Sequence, residues 1–330
     1  MTTLTNLEAV PTKHHSNWLR AGTAVTATSA SEVASQAGLD WTVSLHTLSA
    51  SYQVPGNDEA TSIPVENKFG VVKTTPFGDT KAIGVVGGRY QVFQNAEVFS
   101  ALDNLIDSSE ARYAAAGEYD NGAKVWMLLS LPMDVTVAGD PHAAFILAKT
   151  SHDGSSSVVI KPIIERLRCS NQINKIYRKH NAFTYTLRHS TGSVLDQSEI
   201  RRILDLSYDN TQHYITLGNK LISKEVSRAQ ATAYFKKVFP LPSSIENVPV
   251  SLLSTGEKRA LTRATQARNL ARLIYENTEI NDNIYGTEFG LWQSIVEYAD
   301  HGGKKNSAVR AISGASDGLK LRALELLNVG

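Results

Sequence analysis

An α+β protein is what the 330-residue sequence predicts: an antiparallel, β-rich N-terminal part with a few helices, followed by a helical C-terminal part. Three observations lead there. Alternation of apolar and polar residues, the period of a half-buried strand, recurs from Trp41 to His189. Beyond Gly192 the apolar positions repeat every 3.6 residues. Glycine- and proline-containing turn signals separate the front segments at hairpin spacing. The chain accordingly divides into an irregular N-terminal segment (1–38), an α+β core domain (39–192) and a helical region (193–330).

Taken in order, Ser29–Gln36 reads as one short helix, and Trp41–Tyr52 as a strand with Trp41, Val43, Leu45 and Thr47 on one face. The Pro-Gly-Asn-Asp of residues 54–64 marks a turn. Phe69–Thr75 and Lys81–Gly87 form two strands around Pro-Phe-Gly-Asp. Asn95 is an N-cap candidate for a helix over Ala96–Asp107, whose Val98, Leu102, Leu105 and Ile106 fall at helical spacing. Strands follow at Ala111–Glu118, Ala123–Leu131, Ala143–Lys149 and Val158–Ile164. Pro162 places the last of these at an edge or bulge, because proline donates no ladder hydrogen bond. A short helix over Asn171–Tyr177 and a strand over Phe183–His189 complete the core. Helices are predicted at Asp196–Ile222, Ser227–Val238, Gly256–Asn277, Glu288–Ala299 and Asp317–Leu327, with Asp196 and Glu199 spaced as a capping box. The basic, glycine-rich 302–316 connection reads as a mobile loop.

Composition narrows the function classes. At 42% hydrophobic and 20% charged residues the chain suits a globular protein with a sizeable core. Cys169 is the only cysteine, which excludes an internal disulfide and a Cys-rich zinc site and agrees with a reducing cytoplasm. No apolar run is long enough to span a bilayer and no signal peptide is expected, so the sequence reads as cytoplasmic without a membrane partner. Net charge is only +1, but it is split: residues 1–150 sum to −6 and residues 151–330 to +7.

Motifs for catalysis are incomplete. Gly302-Gly303-Lys304-Lys305 lacks the leading glycine of a phosphate loop, and Gly84-Val85-Val86-Gly87-Gly88 lacks dinucleotide spacing. His152-Asp153 has the form of a metal-binding pair but sits in a Ser- and Gly-rich loop. There the simpler expectation is a polar turn, with Asp153 bonding backbone amides and Gly154 at positive φ; His152, Asp153 and Ser155 are alternatively loop contacts to a phosphate. No catalytic residue, metal site or cofactor is assigned.

The densest signal is cationic. Between residues 161 and 188, Lys161, Arg166, Arg168, Lys175, Arg178, Lys179 and Arg188 face one acid, Glu165, and Tyr177, Phe183 and Tyr185 are interleaved. Such a surface follows a phosphate backbone and offers rings to bases; the alternative is a solvated face with its aromatics in the core. A second basic feature, Lys258, Arg259, Arg263, Arg268 and Arg272, lies on the 256–277 helix and reads as a solvated face or a phosphate track, away from an expected packing face of Leu261, Ala264, Ala267, Leu270, Leu273 and Ile274.

Several of these segments resemble a known family. Ile83–Asn95, Gly122-Ala123-Lys124-Val125-Trp126, Ser151–Ser155, Arg168-Cys169-Ser170-Asn171-Gln172, the Phe183–His189 strand and the helix with Leu291-Trp292 are similar to the phage/plasmid-like protein family, a domain of unknown function. Gln172 departs from an Asn-Thr pair expected there. The order of hairpin, strand, turn and helix also resembles, at fold level, phage single-strand annealing proteins. The resemblance implies a phage or mobile-element DNA-binding protein. The function expected is non-enzymatic binding of single-stranded DNA, with a role in annealing or recombination in a bacterial host cytoplasm. Lys161, Arg166, Arg168, Lys175, Arg178, Lys179 and Arg188 would contact phosphates, Tyr177 and Tyr185 would stack on bases, and a homo-oligomer would join acidic front to basic back. The alternatives are a protein-binding or virion-associated factor and a metal-dependent hydrolase.

Overall fold

The structure, a computed structural model, describes residues 17–53, 55, 60–107, 111–137, 139–168, 171–173, 183–246, 248–277, 281–302 and 307–327. Its front part runs α1 (Asn17–Ala21), β1 (Thr23–Ala24), α2 (Ala30–Gln36), β2 (Thr42–Gln53), β3 (Ala60–Thr74), β4 (Thr80–Gly87), α3 (Asn95–Ser100), α4 (Asp103–Asp107) and β5 (Arg112–Tyr119). Next come β6 (Lys124–Ser130), β7 (Val135–Val137), β8 (Asp140–Ser151), β9 (Val158–Arg166), β10 (Asn171–Ile173) and β11 (Tyr185–Leu187). The back part is helical: α5 (Gln197–Ile222), α6 (Arg228–Val238), α7 (Thr255–Tyr275), α8 (Glu288–His301), α9 (Ser307–Ser313) and α10 (Asp317–Glu325). The α+β class holds, with antiparallel sheets in front and helices behind.

Two sheets organise the front. The larger has the order β1-β5-β6-β8-β9-β10, with β11 also on β9 and β7 on β8; the smaller is the meander β2-β3-β4. β6 shows why the larger sheet is enclosed. Its alternate residues Val125, Met127 and Leu129 join the main apolar cluster, while Trp126 and Leu128 join a second cluster with Trp18, Phe145, Leu147, Ile163 and Ile312. A strand apolar on both faces needs cover on both, and α5 packs on one side of the sheet while α1 and α9 supply Trp18 and Ile312 on the other. Ile146, Ile160 and Ile164, none with exposed surface, each contribute about 2 kcal/mol of transfer free energy to this core.

The main cluster runs from Val25 to Leu327, so the helices beyond Gly192 share one core with the sheet. Pro162 sits where the sequence places it. β10 pairs with Ile164–Arg166 and β11 with Val158–Ile160, so Pro162 falls in the gap between two short flanking strands.

Several elements differ from expectation. The 96–107 helix is two helices, α3 and α4, and its N-cap is Gln94 rather than Asn95. Asn95 is buried, with its side chain turned inward. Residues 171–173 are a strand and not the start of a helix, because their backbone completes the end of β9. β3 begins at Ala60, nine residues before the expected strand start at Phe69, and carries Pro64 inside it, so pairing with β2 runs through the second half of the segment expected to turn. Part of the connection expected to be a loop, residues 307–313, is helix α9, held by burial of Ala308, Ala311 and Ile312. At α5 the capping box is half formed. Asp196 accepts the N–H groups of Ser198 (2.9 Å) and Glu199 (3.2 Å), but Glu199 turns to Arg202 and the Tyr185 hydroxyl accepts the Asp196 N–H instead (3.1 Å).

Candidate nucleic-acid interface

Among the described residues, the cations of the 161–188 window do not share one surface. Arg166 is fully buried: its Nε is ion-paired with Asp140, and its Nη1 donates to Asn281 Oδ1 at 2.7 Å. Arg168 bridges Asp140 (3.3 Å) and Asp282 (2.8 Å), and the largely covered Lys161 faces Asp317 at 3.5 Å. All three have carboxylate partners, Arg166 and Lys161 under cover and Arg168 partly exposed, so their charges are already compensated within the protein. For Arg166 and Lys161 the physical reason is β9 itself: covered on both faces, it can hold a cation only beside a carboxylate from a neighbouring element. Tyr185 is half-buried, packs against the main apolar cluster and accepts the Asp196 N–H at the start of α5. Lys175, Tyr177, Arg178 and Lys179 lie outside the described residues, as does Cys169.

Arg188 is different. It is exposed and, among the described residues, has no carboxylate partner. It lines an open cleft of about 630 Å³ with Asn67, Gly87, Gly88, Arg89, Tyr90, His189, Ser190 and Thr191. Arg89, equally exposed and equally without a carboxylate among the described residues, is the second cation there. Two stretches far apart in sequence are brought side by side: the Gln91 N–H donates to His189 O (3.3 Å) and the Thr191 N–H to Arg89 O (3.1 Å). Their direct neighbours therefore face one space. Asn67, at φ +54 in the irregular stretch of β3, accepts the Gly88 N–H at 3.2 Å and closes the rim.

Beneath the cleft lies a layer of rings. Tyr90 stacks on His189 with centroids 4.9 Å apart and planes within 2° of parallel, and the edge of Phe93 meets the same imidazole at 5.3 Å. The Tyr90 hydroxyl donates to Ser151 O at 2.8 Å, and burial pushes its pKa up, so the phenol stays neutral. His189 donates from Nδ1 to Gln91 O (3.0 Å) and accepts at Nε2 from the Thr150 hydroxyl (2.9 Å), a tautomer fixed by the carbonyl; burial lowers its pKa. This layer holds the backbone that carries both arginines.

The His152 loop is a brace behind it. His152 is buried and donates to Asn95 Oδ1 at 2.9 Å, while Asn95 Nδ2 donates to Leu39 O; burial lowers the imidazole pKa to about 4. Its ring meets Trp41 edge-on at 5.3 Å. Asp153 points elsewhere, to Lys124 (3.0 Å) and, through the turn, to the Ser155 N–H (2.9 Å), with Gly154 at φ +74. This is the polar turn read from sequence. His152 and Asp153 diverge, and among the described residues no three His, Cys, Asp or Glu side chains converge to hold a metal. Gly84 makes the brace fit: a Cβ there would stand 2.6 Å from the Asp153 Cα.

Arg89 is the residue that charge counting missed. It stands outside the 161–188 window, and the only sequence signal for it is its place in Gly87-Gly88-Arg89-Tyr90.

Fold and site together define an α+β protein with a carboxylate-free, arginine-lined cleft over a ring-stacked brace. The chain belongs to the family described as a domain of unknown function, DUF932, whose model matches residues 82–324. No curated protein and no solved structure matches it significantly. Among the described residues no helix is long and apolar enough to cross a membrane.

Proposed function

We propose that the protein is a phage or mobile-element DNA-binding protein that holds single-stranded DNA non-enzymatically, in the service of annealing or recombination, with phosphates seated between Arg89 and Arg188. The observation that carries this reading is the presence of two exposed guanidinium groups in one open cleft with no acid among its described lining residues. Guanidinium groups bind phosphate oxygens through paired N–H donors, while the Thr191 hydroxyl donates to Arg89 O (3.3 Å) and the Ser190 hydroxyl pairs with that of Ser193 (3.0 Å), which steadies the backbone beside them. Nothing in the lining reads base edges with a paired carboxamide or carboxylate except Asn67, which is committed to Gly88, so low sequence preference is expected.

Fluorescence anisotropy of a labelled single-stranded oligonucleotide tests this, with duplex as competitor. Replacing Arg89 and Arg188 by Ala should weaken binding and lower the slope of log affinity against log salt by about 1.4, the value for two phosphate contacts on a single strand. Affinity unchanged in the folded double variant would refute the cleft as the binding site.

A further inference from the structure

β4 pairs with β3 only from Lys68 to Thr74, whereas β2 and β3 stay paired out to Gln53 and Ala60. Residues 49–53 and 60–64 therefore leave the three-stranded sheet as a two-stranded arm, with almost every residue exposed. Its faces differ. Ala50 lies opposite Ile63 and Tyr52 opposite Thr61, with Val65 two residues beyond Ile63, so one face is apolar; Ser49, Ser51, Ser62 and Pro64 share the other. Tyr52 is 49% and Ile63 50% exposed. A free two-stranded ribbon is marginal in water, and an apolar face on it calls for cover.

The cover has a counterpart at the other end of the sequence. α7 buries only Ala267, Ala271 and Tyr275, and its outer stripe reads Arg259, Arg263, Gln266, Leu270, Leu273, all exposed, with Leu273 at 60%. Leu270 and Leu273, expected to pack inward, thus prolong the basic stripe as an apolar one. Lys258, Arg259, Arg263 and Arg272 have no carboxylate partner among the described residues. In sequence, residues 48–67 contain Asp58, Glu59 and Glu66 and no lysine or arginine, a net charge of −3, against +4 for residues 255–275; Asp58 and Glu59 lie outside the described residues.

We propose that the apolar face of the β2–β3 arm docks on the Arg259–Leu273 stripe of α7 in a second copy of this chain. Opposite charge and two unpartnered apolar faces are carried by every copy, one acceptor and one donor each, so the contact is head-to-tail and propagates into a ring or a filament. A nucleic acid lying along the arginines would leave Leu270, Leu273 and the arm uncovered. The assembly stands independently of the DNA cleft.

Light scattering on the purified full chain, over a range of concentrations and at low and high salt, reads the mass directly. The wild type should assemble as concentration rises and dissociate with salt, whereas Ile63→Glu and Leu273→Glu should each stay monomeric. Mixing the two variants discriminates further: the intact helix of Ile63→Glu can seat the intact arm of Leu273→Glu, so the mixture should form a dimer and stop there. Tyr52→Glu with Leu270→Glu repeats the experiment at a second pair of exposed sites, and circular dichroism checks that each variant is folded. A monomeric wild type at all concentrations overturns the proposal. So does a mixture that stays monomeric, or a Leu273→Glu variant that assembles like the wild type, which would mean that arm meets arm.

Discussion

Cations of one sequence window have opposite physical fates, and substitution should separate them. Arg166→Ala leaves Asp140 buried beside only the more distant Arg168, and removing one partner of a buried pair costs about 3 kcal/mol. Urea denaturation should show that loss, while Arg188→Ala should leave the midpoint unchanged. Histidine adds a pH dependence. Burial lowers the pKa of His142 to about 3 and of His152 to about 4, so the unfolded chain takes up protons below about pH 6.5 that the folded one refuses. Stability is therefore full above that pH and declines as pH falls toward 4, by up to about 1.4 kcal/mol per pH unit for each histidine. Urea midpoints at pH 7.5 and 5.5 check this, in a range where ordinary carboxylates are still ionised; His152→Gln should flatten the decline. The fate of Arg166 was not legible from spacing, because its partner Asp140 is 26 residues away on another strand. Arg89 was hidden for the converse reason: a lone cation in an apolar stretch adds nothing to a charge window.

Elements that carry their own signals were readable. Asp196 caps α5 where the sequence marks it, since a short side-chain oxygen that can reach an amide is a local property, and Ser227 and Ser254 cap α6 and α7 by the same chemistry although the sequence reading assigned them no such role. Gln94 caps α3 without such a signal. Its carboxamide is spent on β2, accepting the Val43 N–H at 3.0 Å and donating to Val43 O at 2.8 Å, as a neighbouring strand would. Strand β10 was misread because three residues of strand have no period of their own and depend on β9 for identity. The contact between β4 and the 152–155 turn is likewise tertiary. Gly84→Val should drive them apart, lowering stability by about 1–3 kcal/mol as overpacking does, with Tyr90 fluorescence reporting the disturbed floor of the cleft.

For the whole molecule the expected boundary near Gly192 does not part the core. The larger sheet presents Ile146, Ile160 and Ile164 to the same cluster as Ile200, Ile203 and Tyr214 of α5 and Leu324 of α10. Residues 1–192 or 193–330 expressed alone should therefore fail to give a cooperative unfolding transition, whereas the full chain should give one. Periodicity revealed the two halves but carries no information on whether two periodic stretches share one interior.

That shared interior sets an order of events at the ribosome. The last strand ends at Leu187 and the last covering helix at Glu325, so the sheet is synthesised long before its lid. Until α5, α8 and α10 emerge, its isoleucines face solvent on a nascent chain, a window in which chaperone capture competes with aggregation. Yield in the cell should thus depend on translation speed through the helical part more than on the equilibrium stability of the finished fold.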